Sequence, residues 1–220
     1  MHCTVDHLVV AAASLGQGAA WCEATLGVVP GPGGRHALFG THNRLLRLDG
    51  PDFECCYLEI IAIDPEAPPP TRSRWFGLDT APLQAAVAAR PRLVHVVARC
   101  DDVDAARTRI VAAGHDPGPV LEAGRDTPRG RLDWRITVPD DGRLAAAGAL
   151  PTLLQWRGAH PTDAMPPSGL SLRALRLGGI APALRAAYAL HGVAWSDRPA
   201  PALHALIATP GGDVPLESLP

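Results

Sequence analysis

His7 and His95 each stand inside a run of aliphatic residues, Asp6-His7-Leu8-Val9-Val10 and Val94-His95-Val96-Val97-Ala98. Glu59 interrupts a similar run, Tyr57-Leu58-Glu59-Ile60-Ile61-Ala62-Ile63, and Gln155 lies in Thr152-Leu153-Leu154-Gln155-Trp156. Successive side chains of a strand point to opposite faces. Val5, His7 and Val9 therefore share a face, as do Tyr57, Glu59 and Ile61. So do Leu93, His95 and Val97, and Leu153, Gln155 and Arg157. A carboxylate buried without a partner is costly, and pairing or metal ligation is the usual remedy. Imidazole and carboxylate together suit Zn, Fe, Ni, Co or Mn. A lone histidine in a strand is more often a satisfied core or surface residue than a ligand.

A second polar group is denser still. Arg35, His36, Thr41, His42 and Asn43 crowd one short segment, readable either as a hairpin turn or as a rim that hydrogen-bonds an oxygenated substrate. Arg35 and Arg125 follow turn glycines, and Arg131 and Arg135 share a strand face with Asp133. Guanidinium groups so placed suit a carboxylate or phosphate through bidentate pairing, or they form a solvated arginine face. Trp75-Phe76 walls a pocket or anchors a linker; Trp134 and Trp156 read most simply as core. Cys55-Cys56 reads as structural thiol. No serine lies in a G-x-S-x-G context and there is no GxGxxG fingerprint.

The elements that must position these groups repeat. From His7 to Gly27 is 20 residues and from His95 to Gly114 is 19; Pro-Gly-Pro begins three residues after each glycine. Each copy opens with a strand and continues as an amphipathic helix. Ser14 is a candidate N-cap for the first helix, Asp101 or Asp102 for the second, and Gly27 and Gly114 sit at C′ positions. Strands are predicted at 36–39, 43–48 and 56–63, then at 118–123, 132–138 and 152–156. The chain divides into a first βαβββ module (1–65), a linker (66–92) with a possible helix at 83–89, a second βαβββ module (93–158), and a partial third copy (168–220). The third copy offers a strand at 170–177, a helix opened by Pro182 and a strand at 203–209, with no histidine at the strand position.

This duplicated βαβββ pattern resembles the vicinal oxygen chelate superfamily, which includes glyoxalase I, extradiol dioxygenases and bleomycin- and fosfomycin-resistance proteins. The stretches Gly33-Gly34-Arg35-His36, Gly40-Thr41-His42-Asn43 and Tyr57-Leu58-Glu59-Ile60-Ile61-Ala62-Ile63-Asp64-Pro65 look specifically like its glyoxalase-like domain branch. The resemblance implies an α+β fold in which two modules form an open, eight-stranded, cup-like mixed sheet, here with a C-terminal partial β-α-β element. It implies a divalent metal held by His7, Glu59, His95 and Gln155, although glutamate is commoner at the position of Gln155. It also implies a homodimer.

The 220-residue chain is 47% hydrophobic and 19% charged, enough for a real core, with only 5% aromatic residues. Its net charge of −2 argues against a tracker of nucleic-acid phosphates. All 20 basic residues are arginine, which excludes lysine Schiff-base chemistry and a P-loop lysine. No apolar run is long enough for a membrane span, and the first residues lack a signal-peptide pattern. Five scattered cysteines without a CxxC pair suit reduced thiols and a cytoplasmic location. The first functional expectation is a divalent-metal-dependent lyase or isomerase acting on a small 2-oxo or 2-hydroxy acid, with Glu59 moving the proton and Arg35, His36, His42 and Asn43 binding substrate. Two alternatives stand beside it. One is a metal-free cup that sequesters a small molecule; the other is an Fe(II) dioxygenase.

Overall fold

A computed structural model describes residues 2–198 and 202–218. The first module runs β1 (Thr4–Ala11), α1 (Leu15–Leu26), β2 (Arg35–His36), β3 (Thr41–Arg47) and β4 (Tyr57–Ile63). A connection follows that carries a 3-10 turn at Trp75–Gly77 and α2 (Ala81–Ala89). The second module runs β5 (Arg92–Arg99), α3 (Val103–Ala112), β6 (Val120–Thr127), β7 (Gly130–Thr137) and β8 (Thr152–Arg157). The C-terminal part is β9 (Ser171–Gly178), α4 (Pro182–Tyr188), β10 (Val193–Ser196), β11 (Leu203–Thr209) and β12 (Gly212–Glu217).

The caps fall where the sequence places them. Ser14 Oγ accepts from Gln17 N and Asp102 accepts from the amides of Asp104 and Ala105. The strand edges differ. The predicted strand at 36–39 shrinks to two residues, because Ala37–Gly40 form the turn and pairing of the next strand begins at Thr41. The arginine-bearing hairpin is longer than predicted, since β6 and β7 pair residue for residue from Val120↔Thr137 to Thr127↔Gly130.

Strand order in the large sheet is β2-β3-β4-β1-β5-β8-β7-β6. The antiparallel pair β1–β5 joins the modules, and the order reads the same outward on either side, so the modules are pseudo-two-fold related. The register confirms it: His7 pairs with Val97, and Val9 with His95. β2 and β6, the outer edges, come close to one another and nearly close the cup. One irregularity in β1 matters for the site. Val5 pairs with Ala98 and His7 with Val97, so Asp6 is the extra residue of a β-bulge. A bulge turns a side chain away from strict alternation.

Two apolar cores result. The larger lies behind the sheet, where Cys22 and Leu26 of α1, Ile110 of α3 and Leu172, Leu175 and Ile207 of the C-terminal sheet meet Leu8, Leu58 and Val96. The smaller fills the cup itself and is built around Val9, Ile61 and Val97 with Trp75, Phe76 and Trp134. The third copy carries more than the expected β-α-β. It has the element count of a module but not its pairing, with order β10-β9-β11-β12. In the two true modules the first strand pairs in parallel with the last; here β9 pairs in parallel with β10. This sheet packs its apolar face into the larger core and does not extend the cup.

Candidate functional site

The floor of the cup is a line of buried ionisable groups. His7 on β1 and Glu59 on β4 are 5% and 4% exposed, and His7 Nε2 lies 3.5 Å from Glu59 Oε2. The bulge brings Asp6 to the same side, fully buried, where its Oδ1 accepts from His7 Nδ1 at 2.6 Å. Asp6 Oδ2 accepts from Trp156 Nε1 at 2.9 Å and His160 Nε2 at 3.0 Å. His160 Nδ1 accepts from Thr162 N at 3.2 Å, which fixes the Nε2–H tautomer that Asp6 needs. Glu59 Oε1 accepts from Asn43 Nδ2 at 2.6 Å. Tyr57 stacks on the His7 ring at 4.5 Å.

Burial works against charge on His7, but the hydrogen bonds and charges of Asp6 and Glu59 override it and raise its pKa to about 9. Burial alone would raise the two carboxyls; the histidines around them instead hold both below the usual range. At neutral pH the floor is therefore an Asp6 carboxylate, a His7 imidazolium and a Glu59 carboxylate. Asp6→Asn will keep an acceptor for His7 while removing one charge, and the His7 pKa is expected to fall by about 1–3 units. Imidazole C–H chemical shifts against pH measure this; a His7 pKa still near 9 would show that Glu59 alone sets it.

Arg125 completes the cup from the opposite edge. It leaves β6, passes over Gly34 and reaches Asn43 Oδ1 at 3.4 Å, bridging the seam between the sheet's two edges. A Cβ at Gly34 would lie 2.0 Å from Arg125 Nη1, so the guanidinium path requires a residue without a side chain. No ion pair of Arg125 occurs among the described residues. By contrast Arg131 pairs with Asp126 and Asp133, and Arg135 pairs with Asp104, all at the solvated outer face.

The structure divides the residues singled out in the sequence. His36 and Asn43 line the cup with His7 and Glu59. His36 is neutral, because burial lowers its pKa to about 4. Arg35 and His42 point the other way: Arg35 is exposed and pairs with Glu66 and Asp64, and His42 Nδ1 lies 3.8 Å from Asp64. Thr41 and Asn43 take the inward face of β3, so alternation excludes His42. Trp134 and Trp156 are walls of the cup rather than interior packing alone, as are Trp75 and Phe76.

His95 faces the cup but is fully occupied. Its Nδ1 donates to Gly148 O at 2.8 Å, and its Nε2 accepts from Thr152 N at 3.2 Å with Thr152 Oγ1 at 2.9 Å. Gly148, at φ +88°, has no room for a Cβ, which would fall 1.9 Å from Val94 O. Burial drives the His95 pKa down to about 3. Gln155 is on the outer face of β8, where it donates to Asp101 O at 2.5 Å and accepts from Arg135 at 3.4 Å. Register explains the misplacement. Val9 pairs with Glu59 and its symmetry mate Val97 pairs with Thr152, so Thr152 occupies the position equivalent to Glu59. The second half-site is His95–Thr152, an echo of His7–Glu59 without a carboxylate.

Four converging donors for a divalent metal are thus not assembled. One lone pair of His95 is taken by a backbone amide, and Gln155 lies behind the sheet. Among the described residues no group of three or more His, Cys, Asp or Glu side chains converges as a metal site. The residues present do not fit the metal that the resemblance implies. Asp6 and His160 went unnoticed in the sequence; a bulge and a contact spanning 154 residues leave no local signal.

The glyoxalase-like domain family matches residues 5–191, and the chain belongs to that family. The cup of two βαβββ modules is the fold that the resemblance implied. A hypothetical protein from Staphylococcus aureus superposes with a TM-score of 0.58 at 12% identity, covering 99% of this chain and 85% of that one. Methylmalonyl-CoA epimerase from Streptomyces coelicolor, in complex with 2-nitronate-propionyl-CoA, gives a TM-score of 0.43 at 21% identity over 71% of this chain and 96% of its own. The Mycobacterium tuberculosis methylmalonyl-CoA epimerase gives 0.40 at 17% identity, covering 73% of this chain and 91% of its own. No curated protein sequence matches the chain significantly. Among the described residues no helix is long and apolar enough to cross a membrane.

Proposed function

We propose that the cup is the active site of a lyase or isomerase that moves a proton on a small 2-oxo or 2-hydroxy acid. Glu59 is the base that takes a proton from the carbon next to a carbonyl or carboxylate group, C3 of a 2-oxo acid or C2 of a 2-hydroxy acid, and the electron pair passes onto the oxygen of that group. The His7 imidazolium beside it stabilises the negative charge that develops on the substrate oxygen. Arg125 holds the substrate carboxylate, and Asn43 fixes the Glu59 carboxylate. The observation that carries this reading is the His7–Glu59 pair, 3.5 Å apart on a buried floor, facing a guanidinium that has no carboxylate ion pair among the described residues. An ionised carboxylate in a dry site keeps its charge here because His7 and Asn43 hydrogen-bond it.

The metal-dependent form of the reaction and an Fe(II) dioxygenase both need at least three converging protein donors, which is why neither is retained. The test follows deuterium exchange into pyruvate and lactate in heavy water by proton NMR. Wild-type protein is expected to catalyse exchange equally with and without a chelator. Loss of exchange on chelation, restored by added divalent metal, would overturn the metal-independent mechanism. Binding of the acids without any exchange would identify the cup as a sequestering site.

A further inference from the structure

The chain has few aromatic residues, and the fold spends them unevenly. Of its five Trp, two Tyr and three Phe, Tyr57, Trp75, Phe76, Trp134 and Trp156 all border the one cavity in the cup. The larger core, though it has about twice as many members, takes only Phe53 and Tyr188 in its interior and Trp21 and Trp195 at its margin; the rest is aliphatic residues and cysteines. Packing alone gives no reason to concentrate rings in the smaller core. The rings are also in contact: Trp75 stacks on Phe39 at 3.9 Å and on Phe76 at 4.9 Å, and Trp134 lies 5.5 Å from Trp156.

Two polar groups beside these rings lack partners suited to them. Among the described residues Arg125 makes only the long bond to Asn43. The indole Nε1 of Trp75, a residue 4% exposed, is buried and has no hydrogen-bond partner among the described residues. A buried unsatisfied donor costs about 1–3 kcal/mol. The same turn holds Phe76 at φ +58°, a left-handed conformation disfavoured for a bulky side chain. The cavity now measures about 30 Å³, room for one water. A benzene ring fits a cavity of roughly 150 Å³, so a ring enters only if a wall of the cup moves outward. The Trp75–Gly77 turn is the wall that bears an orphaned donor and a strained residue.

We propose, resting on the reading of the cup as the substrate site, that its ligand is an aryl-substituted acid: the ring is taken among Trp75, Trp134 and Trp156, and the carboxylate is held by Arg125. Ring-on-ring contact and the bidentate guanidinium–carboxylate pair then act at the two ends of one small molecule. A ligand with only one of these groups leaves half of the site unused.

The experiment compares three probes on the intact chain by calorimetry and tryptophan fluorescence: 3-phenyllactate, lactate, which lacks the ring, and 1-phenyl-2-propanol, which lacks the carboxylate. 3-Phenyllactate is expected to bind at least tenfold more tightly than either and to change the tryptophan emission as the turn opens. Arg125→Gln is expected to weaken 3-phenyllactate at least tenfold and to leave the neutral alcohol unchanged, with Arg125→Lys restoring part of the loss. Circular dichroism checks that both variants fold. Equal affinities for lactate and 3-phenyllactate would overturn the aryl site while leaving proton exchange into lactate, and so the proposed function, intact. Equal affinities for 3-phenyllactate and the neutral alcohol, or an Arg125→Gln variant that binds 3-phenyllactate as well as the wild type, would overturn the carboxylate end. Failure of all three to bind would overturn both ends.

Discussion

Glu59→Gln will slow deuterium exchange into 2-oxo and 2-hydroxy acids by about 10²–10⁴-fold, the range that a positioned general base contributes. The substitution keeps the shape of the side chain. Its carbonyl oxygen still accepts from Asn43 Nδ2, which lies 2.6 Å from Glu59 Oε1. What it removes is the basic lone pair and the negative charge that faces His7 Nε2 at 3.5 Å. Affinity for the acids is expected to hold or improve, because Arg125 then faces one anion fewer on the floor of the cup. The measurement is the initial exchange rate at saturating acid, with the melting temperature recorded alongside. An exchange rate within fivefold of wild type would assign the base to another group.

Stability against urea will peak near pH 6.5 and fall on both sides. His7 is raised to about 9 in the fold from an ordinary 6.5. Its contribution is therefore fully present below pH 6.5 and is lost as the pH rises through 9, because the folded state alone still holds the proton there. At about 1.4 kcal/mol per pH unit, the alkaline loss comes to about 3 kcal/mol. His36 and His95 are depressed by burial to about 4 and about 3. Their neutral forms favour the fold above pH 6.5, and this contribution is lost as the pH falls through those values, because the unfolded chain takes up both protons first. Two such groups give an acid limb of up to about 3 kcal/mol per unit, roughly twice as steep as the alkaline limb. Asp6 and Glu59, held below the usual carboxylate range, add to the acid loss at lower pH. Urea midpoints from pH 4 to 10 measure the profile. A flat line between pH 6.5 and 9 would show that His7 is not held as an imidazolium.

Much of the architecture was legible because it is local and periodic. The strand–helix repeat, the Ser14 and Asp102 caps and the strands carrying His7, Glu59 and His95 follow from side-chain alternation and capping chemistry along short stretches of chain. The same logic grouped Leu153, Gln155 and Arg157 on one face. Alternation groups residues on a face only where no bulge intervenes, so Val5 and Leu93 end in the larger core although His7 and His95 face the cup, and it does not say which face looks into the cup. That choice is made by register, and the connection between β7 and β8, from Thr137 to Thr152, carries no periodic signal to set it. Thr152 rather than Gln155 therefore stands opposite His95, and the second half of the expected metal site dissolves.

The chemistry of the floor was settled further from the sequence still. Asp6 turns inward only because its partner strand β5 has no residue to pair with it, and that mismatch exists only between two strands. Arg125 reaches Asn43 across 82 residues, and His160 reaches Asp6 across 154, because the sheet curls until its edges meet. The sequence by itself determined the elements, their caps and the ionisable residues on offer. The tertiary structure decided which of those residues share one dry space. Burial, hydrogen bonding and nearby charge act through distance in space, and through them the fold sets a charged pair at His7–Glu59 and a neutral, fully bonded imidazole at His95.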